Sequence, residues 1–152
     1  MQIDAVMSRM TMLLPDAFVR EYGKAHGRVF RATKGRVGKK WARRPVLLLT
    51  TTGRRSGQSR STMVLYGRDG ERLLVVGSNT GSDKAPAWAL NLAAEPAAEV
   101  MVDGEVFPIR AGELAGDERE RAWRLMNDAY AGFEKYERRT HRGIKVFALE
   151  RR

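Results

Sequence analysis

The sequence contains no cysteine and only two histidines in 152 residues. The absence of thiols excludes disulfides, zinc sites with thiolate ligands, iron–sulfur clusters and cysteine nucleophiles. His26 and His141 are far apart in the sequence and show no metal-ligand spacing, so we expect no metal site. The chemistry of this chain must therefore use other residue types.

Long apolar runs are also absent. No stretch approaches the roughly 20 apolar residues that a transmembrane helix requires. The apolar patch at Met10–Leu14 is too short for the core of a secretory signal, and Asp4 precedes it. We therefore expect an unprocessed protein of the cytoplasm. With 43% hydrophobic and 30% charged residues, the composition is that of a globular domain.

Positive charge is concentrated in the N-terminal part of the chain. The formal net charge is +10, and residues 1–44 hold 11 Lys and Arg against 3 Asp and Glu, whereas residues 45–112 hold 7 of each. Such a segment is typical of contact with nucleic acid, an anionic membrane or an anionic small molecule, and it also occurs as a solvated face. We interpret residues 1–44 as a basic helical extension and residues 45–152 as the main domain.

The hydrophobic pattern changes its period at Pro45. Before this residue, Met and Leu residues three and four positions apart predict helix over much of 4–31. After it, short β-branched runs separated by glycine turns predict antiparallel strands. The predicted strands are 45–52, 59–66, 72–76, 98–103, 105–110 and 144–150, and further helices are predicted at 84–94 and 117–130. The predicted fold class is α+β, a small barrel with N-terminal, inserted and C-terminal helices.

The first candidate binding element is the turn after strand 45–52, with the sequence TTGRRSG at 51–57. Two glycines permit a sharp turn, and Arg54, Arg55 and Ser56 supply donors for phosphate or carboxylate oxygens. The spacing is not that of a Walker loop. On spacing alone, a plain hairpin turn with solvent-facing arginines explains the segment at least as well.

A second candidate covers residues 77–91, where GSNTG precedes a short helix. Trp88 offers an apolar plane on which a flat heterocycle can lie, and Asn91 or helix-start amides can hold its polar edge. However, the i, i+4 spacing of Trp88 and Leu92 also fits the core face of a helix, which is the simpler explanation for Trp88 alone.

A third candidate is the aromatic series Tyr130, Phe133 and Tyr136, at spacings of three. These rings can line a pocket for an aromatic substrate, and either phenol can donate a proton or a hydrogen bond. A core stripe explains the same spacing. No GxSxG motif occurs, so hydrolase chemistry has no support.

The motifs TTGRxSG, GSxxG and PxWxxNLxAxP occur in this order at fixed spacing. Together they resemble the deazaflavin-dependent nitroreductase and quinone reductase family, most closely over Pro45–Pro96 and less tightly to Glu150. The resemblance implies a split β-barrel that binds coenzyme F420, an 8-hydroxy-5-deazaflavin. It also implies hydride transfer to quinone, enone, lactone or nitroaromatic acceptors. Flavin mononucleotide is the less favoured cofactor for such a barrel.

The resemblance also assigns residues to the cofactor. It implies that Arg54, Arg55 and Ser56 meet the phosphodiester and glutamate carboxylates of the cofactor tail. The further cofactor-binding residues that it implies are Arg60, Ser61, Thr62, Met63, Val64, Leu65, Val76, Gly77, Ser78, Asn79, Ala87, Trp88, Ala89, Leu90, Asn91 and Phe133. The candidate catalytic residues, as donors to a substrate oxygen that becomes negative, are Ser78, Tyr130 and Tyr136.

Three positions depart from the family pattern. Members that reduce nitroimidazoles often have tyrosine at the positions of Leu65 and Phe133, and neither residue carries a hydroxyl here. This favours a more apolar planar acceptor, such as a quinone or a lactone. Asn79 occupies a position that is lysine in some relatives, so one positive contact to the cofactor is missing.

The expected partner is therefore a planar small molecule. A nucleic-acid-binding barrel is the alternative of a different class, but along the predicted strands only Tyr66 suits base stacking. The Met and Leu face of the N-terminal segment, together with the basic residues of Arg20–Arg44, is also typical of contact with an anionic membrane, where lipophilic quinones reside. The oligomeric state stays open.

Overall fold

The computed structural model describes residues 27–33, 40–41 and 44–152. The helix predicted over 4–31 lies largely outside these residues, and within them 27–32 are helical. The strands are β1 Lys40–Trp41, β2 Arg44–Thr52, β3 Ser59–Asp69, β4 Arg72–Val76, β5 Ala97–Val102, β6 Glu105–Glu113 and β7 Val146–Arg151. The further helices are α1 Ala87–Ala94, α2 Gly116–Ala129 and α3 Gly132–Glu137.

Six of the strands close into a barrel. Their order is β2-β3-β4-β7-β6-β5, and β5 pairs back to β2, so the ring is complete. All of these pairings are antiparallel, because consecutive strands are joined by tight turns or by returning helical connections. The turn between β5 and β6 places Asp103 and Gly104 at positive φ, as a two-residue hairpin requires. The predicted α+β barrel is confirmed.

The apolar run of β2 is buried on both faces. Leu47 and Leu49 point into the barrel, while Val46 and Leu48 lie on its outer face, and all four are buried. Because successive side chains on a strand point to opposite faces, both faces need a cover. The barrel interior covers the face that carries Leu47 and Leu49.

A second apolar cluster covers the outer face of β4 and β7. Leu74, Val76, Val146 and Ala148 pack there against side chains of α2 and α3, including Trp123. The two helices therefore lie on the outside of the barrel and not across its end. Within the described residues, no helix is long and apolar enough to cross a membrane.

Three helix boundaries differ from the sequence prediction, because α1 begins at Ala87 and not at residue 84, and both ends of α2 lie one residue earlier than predicted. Helix α2 begins at Gly116 with Ala115 as its N-cap, and Asp117 lies inside the first turn without a side-chain cap bond. Its carboxylate still lies near the positive end of the helix dipole. The aromatic series is divided, because Tyr130 ends α2 while Phe133 and Tyr136 belong to α3.

Strands β3 and β4 differ in length, and this difference shapes one end of the barrel. The pairing of β3 with β4 begins at Tyr66, opposite Val75. In the recorded register, residues 59–65 pair only with β2. The β2–β3 turn, the loop after β4 and helix α1 all lie at this end. The first half of β3 is consequently a strand edge that β4 does not cover.

Replacing Phe147 by alanine tests the barrel core. Phe147 is 1% exposed inside the barrel, so its loss leaves a cavity and should lower the free energy of unfolding by about 3–5 kcal/mol. Val106, which is 47% exposed, is the control, and Val106→Ala should cost less than about 1 kcal/mol. Urea titration followed by circular dichroism measures both, and equal losses would contradict the assignment of the core.

Candidate functional site

The turn between β2 and β3 has one defined backbone path. The N–H of Gly53 donates to the carbonyl of Gln58 at 2.8 Å, and the N–H of Gly57 donates to the carbonyl of Gly53 at 2.7 Å. A Cβ atom at Gly53 would lie 2.7 Å from Ser56 Oγ, and Gly57 has a φ of +68°. Only glycine suits both positions without strain. The side chains of residues 54–56 are exposed on this fixed turn.

Asn91 connects this turn to helix α1. Its side chain is 4% exposed, and its Oδ1 accepts the backbone N–H of Arg54 at 3.1 Å. Its Nδ2 donates to Thr51 Oγ1, also at 3.1 Å. Both polar atoms of this side chain thus bind the protein's own turn and strand, and its contact with the polar edge of a bound ring stays a prediction. Asn91 positions the arginine turn.

The predicted cofactor row at 60–65 is divided between two faces of β3. Arg60, Thr62 and Val64 pair with residues of the inner face of β2, and Val64 belongs to the barrel core. Ser61, Met63 and Leu65 lie on the outer face, since side chains alternate along a strand. One ligand therefore cannot contact all six side chains, but it can contact the backbone edge and one of these two sets.

Helical residues 27–32 pack over the outer face of β2 and β3. Arg31 Nη2 donates to Ser61 Oγ at 2.7 Å, and Ser61 Oγ lies 2.8 Å from Thr50 Oγ1. A cavity of about 370 Å³ lies between the helix and the strands, large enough for part of a small ligand. Its lining residues are Gly27, Arg28, Arg31, Ala32, Leu48, Ser61, Thr62 and Met63.

The loop after β4 carries the second motif. The N–H of Gly77 donates to the carbonyl of Lys145 at 2.8 Å, and Ser78 is 8% exposed. Asn79 and Thr80 both have positive φ, 45° and 54°. A Cβ atom at Gly81 would lie within 3.0 Å of the backbone of Tyr136, so the loop touches α3 directly. Its conformation is thus set by contacts with distant segments.

The aromatic series forms a compact cluster on the outer face of the barrel. Phe133 and Tyr136 are buried, and the ring of Tyr130 meets that of Phe133 edge to face at 5.1 Å between centroids. The hydroxyls of Tyr130 and Tyr136 lie 3.0 Å apart. The side chain of Leu65 packs against this cluster. Because Gly81 contacts the backbone of Tyr136, the loop that carries the candidate donor Ser78 lies against the helix that carries Tyr136.

Trp88 is a partly exposed member of the barrel's apolar interior. Its indole packs against the core cluster, with its centroid 6.2 Å from that of Phe147. The neighbouring Ala89 is fully buried, whereas Ala87 is exposed and Leu90 is half-buried. The role of the indole as a bed for a bound ring stays a prediction.

Two contributions to this region were missed from the sequence. Arg28 and Arg31 belong to the basic segment, but no local pattern indicates that they lie beside Ser61. Arg142 donates to the carbonyls of Gly77 and Ser78 at 3.1 and 2.9 Å, although more than 60 residues separate them. Burial lowers the pKa of Arg142, and the nearby Asp83 opposes this shift. No local motif marks such a contact.

Comparison with known proteins decides the family. The family model described as F420H(2)-dependent quinone reductase matches residues 22–151. The chain belongs to this family. An F420H(2)-dependent quinone reductase of Mycobacterium tuberculosis is 35% identical over 133 residues, which is 85% of this chain and 89% of the relative.

Solved structures agree with the family. A structure titled as an F420-H2 dependent reductase has a TM-score of 0.65 and 37% identity, and the match covers 70% of this chain and 95% of that one. A second, described as a domain-swapped dimer, has a TM-score of 0.68 and 33% identity, covering 90% and 100%. As a member of the F420H(2)-dependent quinone reductase family, the chain is an F420-dependent reductase with a split-barrel fold. The predicted cofactor, coenzyme F420, is confirmed over flavin mononucleotide.

The Asn91 junction makes a testable prediction. Asn91→Ala removes both hydrogen bonds to the turn and leaves the Thr51 hydroxyl unpaired, so it should lower the free energy of unfolding by about 1–3 kcal/mol. It should also weaken binding of oxidised coenzyme F420, measured by fluorescence titration, because the arginine turn loses its support.

The matched control is Asn127→Ala in α2. The side-chain amide of Asn127 donates to the carbonyl of Trp123 and accepts the N–H of Glu134. We expect this variant to lose stability without loss of cofactor affinity. Equal cofactor affinity in Asn91→Ala and the wild type would contradict the junction's role.

Proposed function

We propose that this chain transfers a hydride from reduced coenzyme F420 to a quinone. The observation that carries the proposal is the turn at 53–57, which presents two guanidinium groups and a hydroxyl on a backbone held by Asn91. Such a fixed donor set suits a polyanionic cofactor tail, because charge-assisted bonds to phosphate and carboxylate oxygens are short and strong. Membership of the family supports the same reading.

The residues at this end of the barrel fit coenzyme F420. The side chains of Arg54, Arg55 and Arg60 are exposed, and none of the ion pairs recorded for the described residues involves them. Their charge is therefore available to phosphodiester and glutamate groups. The edge of β3 at 59–65 offers backbone donors and acceptors beside the loop 77–79. We propose that the deazaflavin ring lies along this edge, with Trp88 near its far side.

The protein's part in the reaction is to hold two planar molecules together. When bound, the reduced deazaflavin supplies a hydride, and quinone reduction needs one further proton to give the hydroquinone. The rigid edge of β3 and the apolar aromatic cluster would orient the acceptor and exclude water. Ser78 and the paired hydroxyls of Tyr130 and Tyr136 are the proposed donors to the quinone oxygen as it becomes negative.

The acceptor side of the site favours apolar molecules. Leu65 and Phe133 line the aromatic cluster without hydroxyl groups, and both contact its buried rings. A quinone buries apolar edges there and presents only two carbonyl oxygens to the donors. Planar enones and lactones share this geometry and are further proposed acceptors, whereas the lack of hydroxyl groups at Leu65 and Phe133 makes this side less suited to the polar group of a nitroaromatic compound.

Contact of the basic N-terminal segment with an anionic membrane stays a prediction, because most of residues 1–44 lie outside the described part of the chain. Within it, Val29 is 47% exposed beside the exposed Arg28. An apolar side chain flanked by a guanidinium group is compatible with a lipid surface from which a lipophilic quinone would enter.

The double variant Arg54→Ala and Arg55→Ala tests the tail site. Each lost charge-assisted contact should cost about 1.5–3 kcal/mol, roughly tenfold to a hundredfold in affinity for coenzyme F420. Turnover at saturating cofactor should change little, because the reacting ring is held elsewhere. Fluorescence titration and steady-state quinone reduction measure the two effects.

The control for this prediction removes the same charge elsewhere, through Arg68→Ala at the opposite end of β3 and Arg124→Ala on α2, both of which are exposed. Unaltered affinity in the Arg54 and Arg55 variant, or an equal loss in the control, would refute the tail site.

A separate prediction concerns acceptor choice. Leu65→Tyr with Phe133→Tyr adds two hydroxyls to the aromatic cluster, so kcat/KM for a nitroimidazole should rise relative to that for a quinone. The control is Phe133→Leu, which changes the shape of the same position without adding a donor. An unchanged ratio in the tyrosine variant, or the same rise in the leucine variant, would show that hydroxyls at these positions do not select the acceptor.

A further inference from the structure

Arg142 lies in the connection between α3 and β7 and binds three carbonyl groups of the loop after β4. Its Nη2 donates to the carbonyls of Gly77 at 3.1 Å and Ser78 at 2.9 Å, and its Nε donates to that of Ser82 at 2.9 Å. The planar guanidinium presents these donors in a fixed fork, so the three carbonyls cannot move independently. These three hydrogen bonds, which we call the Arg142 clamp, span the whole of the loop that the family motif GSxxG marks.

The clamp holds the carbonyls of two peptide groups, those of Gly77 and Ser78, and the Ser78 carbonyl also accepts the N–H of Gly81 at 3.0 Å. The peptides of the described residues are all trans, so the N–H of each points away from its own carbonyl. Because the carbonyls of Gly77 and Ser78 face Arg142, the N–H groups of Ser78 and Asn79 face the opposite way. Within the described residues, neither of these N–H groups donates to a protein acceptor. The protein's own hydrogen bonds therefore leave both of these N–H groups unused.

The loop needs such a restraint because its backbone is strained. Asn79 and Thr80 have φ values of 45° and 54°, which is unfavourable for residues with a Cβ atom, and above all for a β-branched threonine. Strained backbone persists where surrounding contacts over-determine it. Here a second contact supports the clamp, since Thr140 Oγ1 donates to Asp83 Oδ1 at 3.1 Å.

The clamp is also unfavourable for Arg142 itself. Its Nη1 is buried and has no hydrogen-bond partner among the described residues. Burial lowers the pKa of this guanidinium, which shows that the charged form loses solvation. An arginine that only stabilises the fold does not need a buried Nη1 without a hydrogen-bond partner, whereas unfavourable groups of this kind are expected at functional sites.

We propose that Arg142 is a positioning residue, which holds the N–H groups of Ser78 and Asn79 toward the deazaflavin ring. This rests on the function proposed above. Arg142 does not touch the cofactor and acts through the loop. It differs in this respect from Arg54 and Arg55, which we place on the cofactor tail. The two sets of arginines should consequently affect different parts of the same molecule.

Two probes separate these effects: complete coenzyme F420, and 8-hydroxy-5-deazaflavin without the phosphodiester and glutamate tail. Arg142→Ala should weaken the binding of both probes by about tenfold or more, since in each case the ring loses its contacts with the N–H groups of Ser78 and Asn79. Arg142→Lys keeps the charge but cannot bridge three carbonyls, so its ring affinity should fall between those of Arg142→Ala and the wild type. The double variant Arg54→Ala and Arg55→Ala should weaken binding of the complete cofactor only.

Folding is checked by circular dichroism and thermal unfolding before each titration, and Arg138→Ala, an exposed arginine in the same connection, is the matched control with wild-type affinities. If Arg142→Ala does not fold, the comparison is made with Arg142→Lys. Wild-type ring affinity in the folded Arg142 variants would overturn the proposal. Failure of the wild type to bind either probe would instead overturn the proposed function, and with it this inference.

Discussion

The buried amide of Asn91 joins the two elements on which the candidate site depends. One side of the amide accepts the N–H of Arg54, and the other donates to Thr51 at the end of β2. Without the side-chain amide of Asn91, helix α1 would lose these two hydrogen bonds, and the turn that carries the arginines would lose their support. A binding turn made of exposed, flexible side chains gains affinity when its backbone is fixed in advance, because less conformational entropy is lost on binding.

The unequal lengths of β3 and β4 complete the site. A closed barrel normally leaves no free strand edge, which protects it from aggregation. Here β3 continues past the end of β4, so residues 59–65 pair with β2 on one side only. The edge connects the arginine turn at one end with the aromatic cluster of Tyr130, Phe133 and Tyr136 at the other. This arrangement is the basis of the elongated site that we propose for a cofactor with a charged tail and a planar ring.

Local signals in the sequence were sufficient for most of the barrel. The apolar run at 45–52 and the Asp103-Gly104 turn each have a short-range physical cause, and the structure confirms both. The start predicted for helix α2, residue 117, was one residue late, because α2 begins at Gly116 with Ala115 as its N-cap and without a side-chain cap bond. Trp88 shows the limit of spacing arguments, since its position fits both the core face and a ligand bed. In the structure its indole packs on the core and stays partly exposed.

The amino-acid sequence by itself determined the chemistry available to this protein: no thiols, a basic N-terminal segment, two guanidinium groups between glycines, and motifs whose spacing indicated the family. It also determined the order of strands and helices, because turn residues and hydrophobic periods act over a few positions. Only the tertiary structure decided that Asn91 serves the turn, that alternate residues of 60–65 face opposite ways, and that Arg142 clamps a loop more than 60 residues away. These contacts depend on how the barrel closes, and closure brings together residues that have no local relation in the chain.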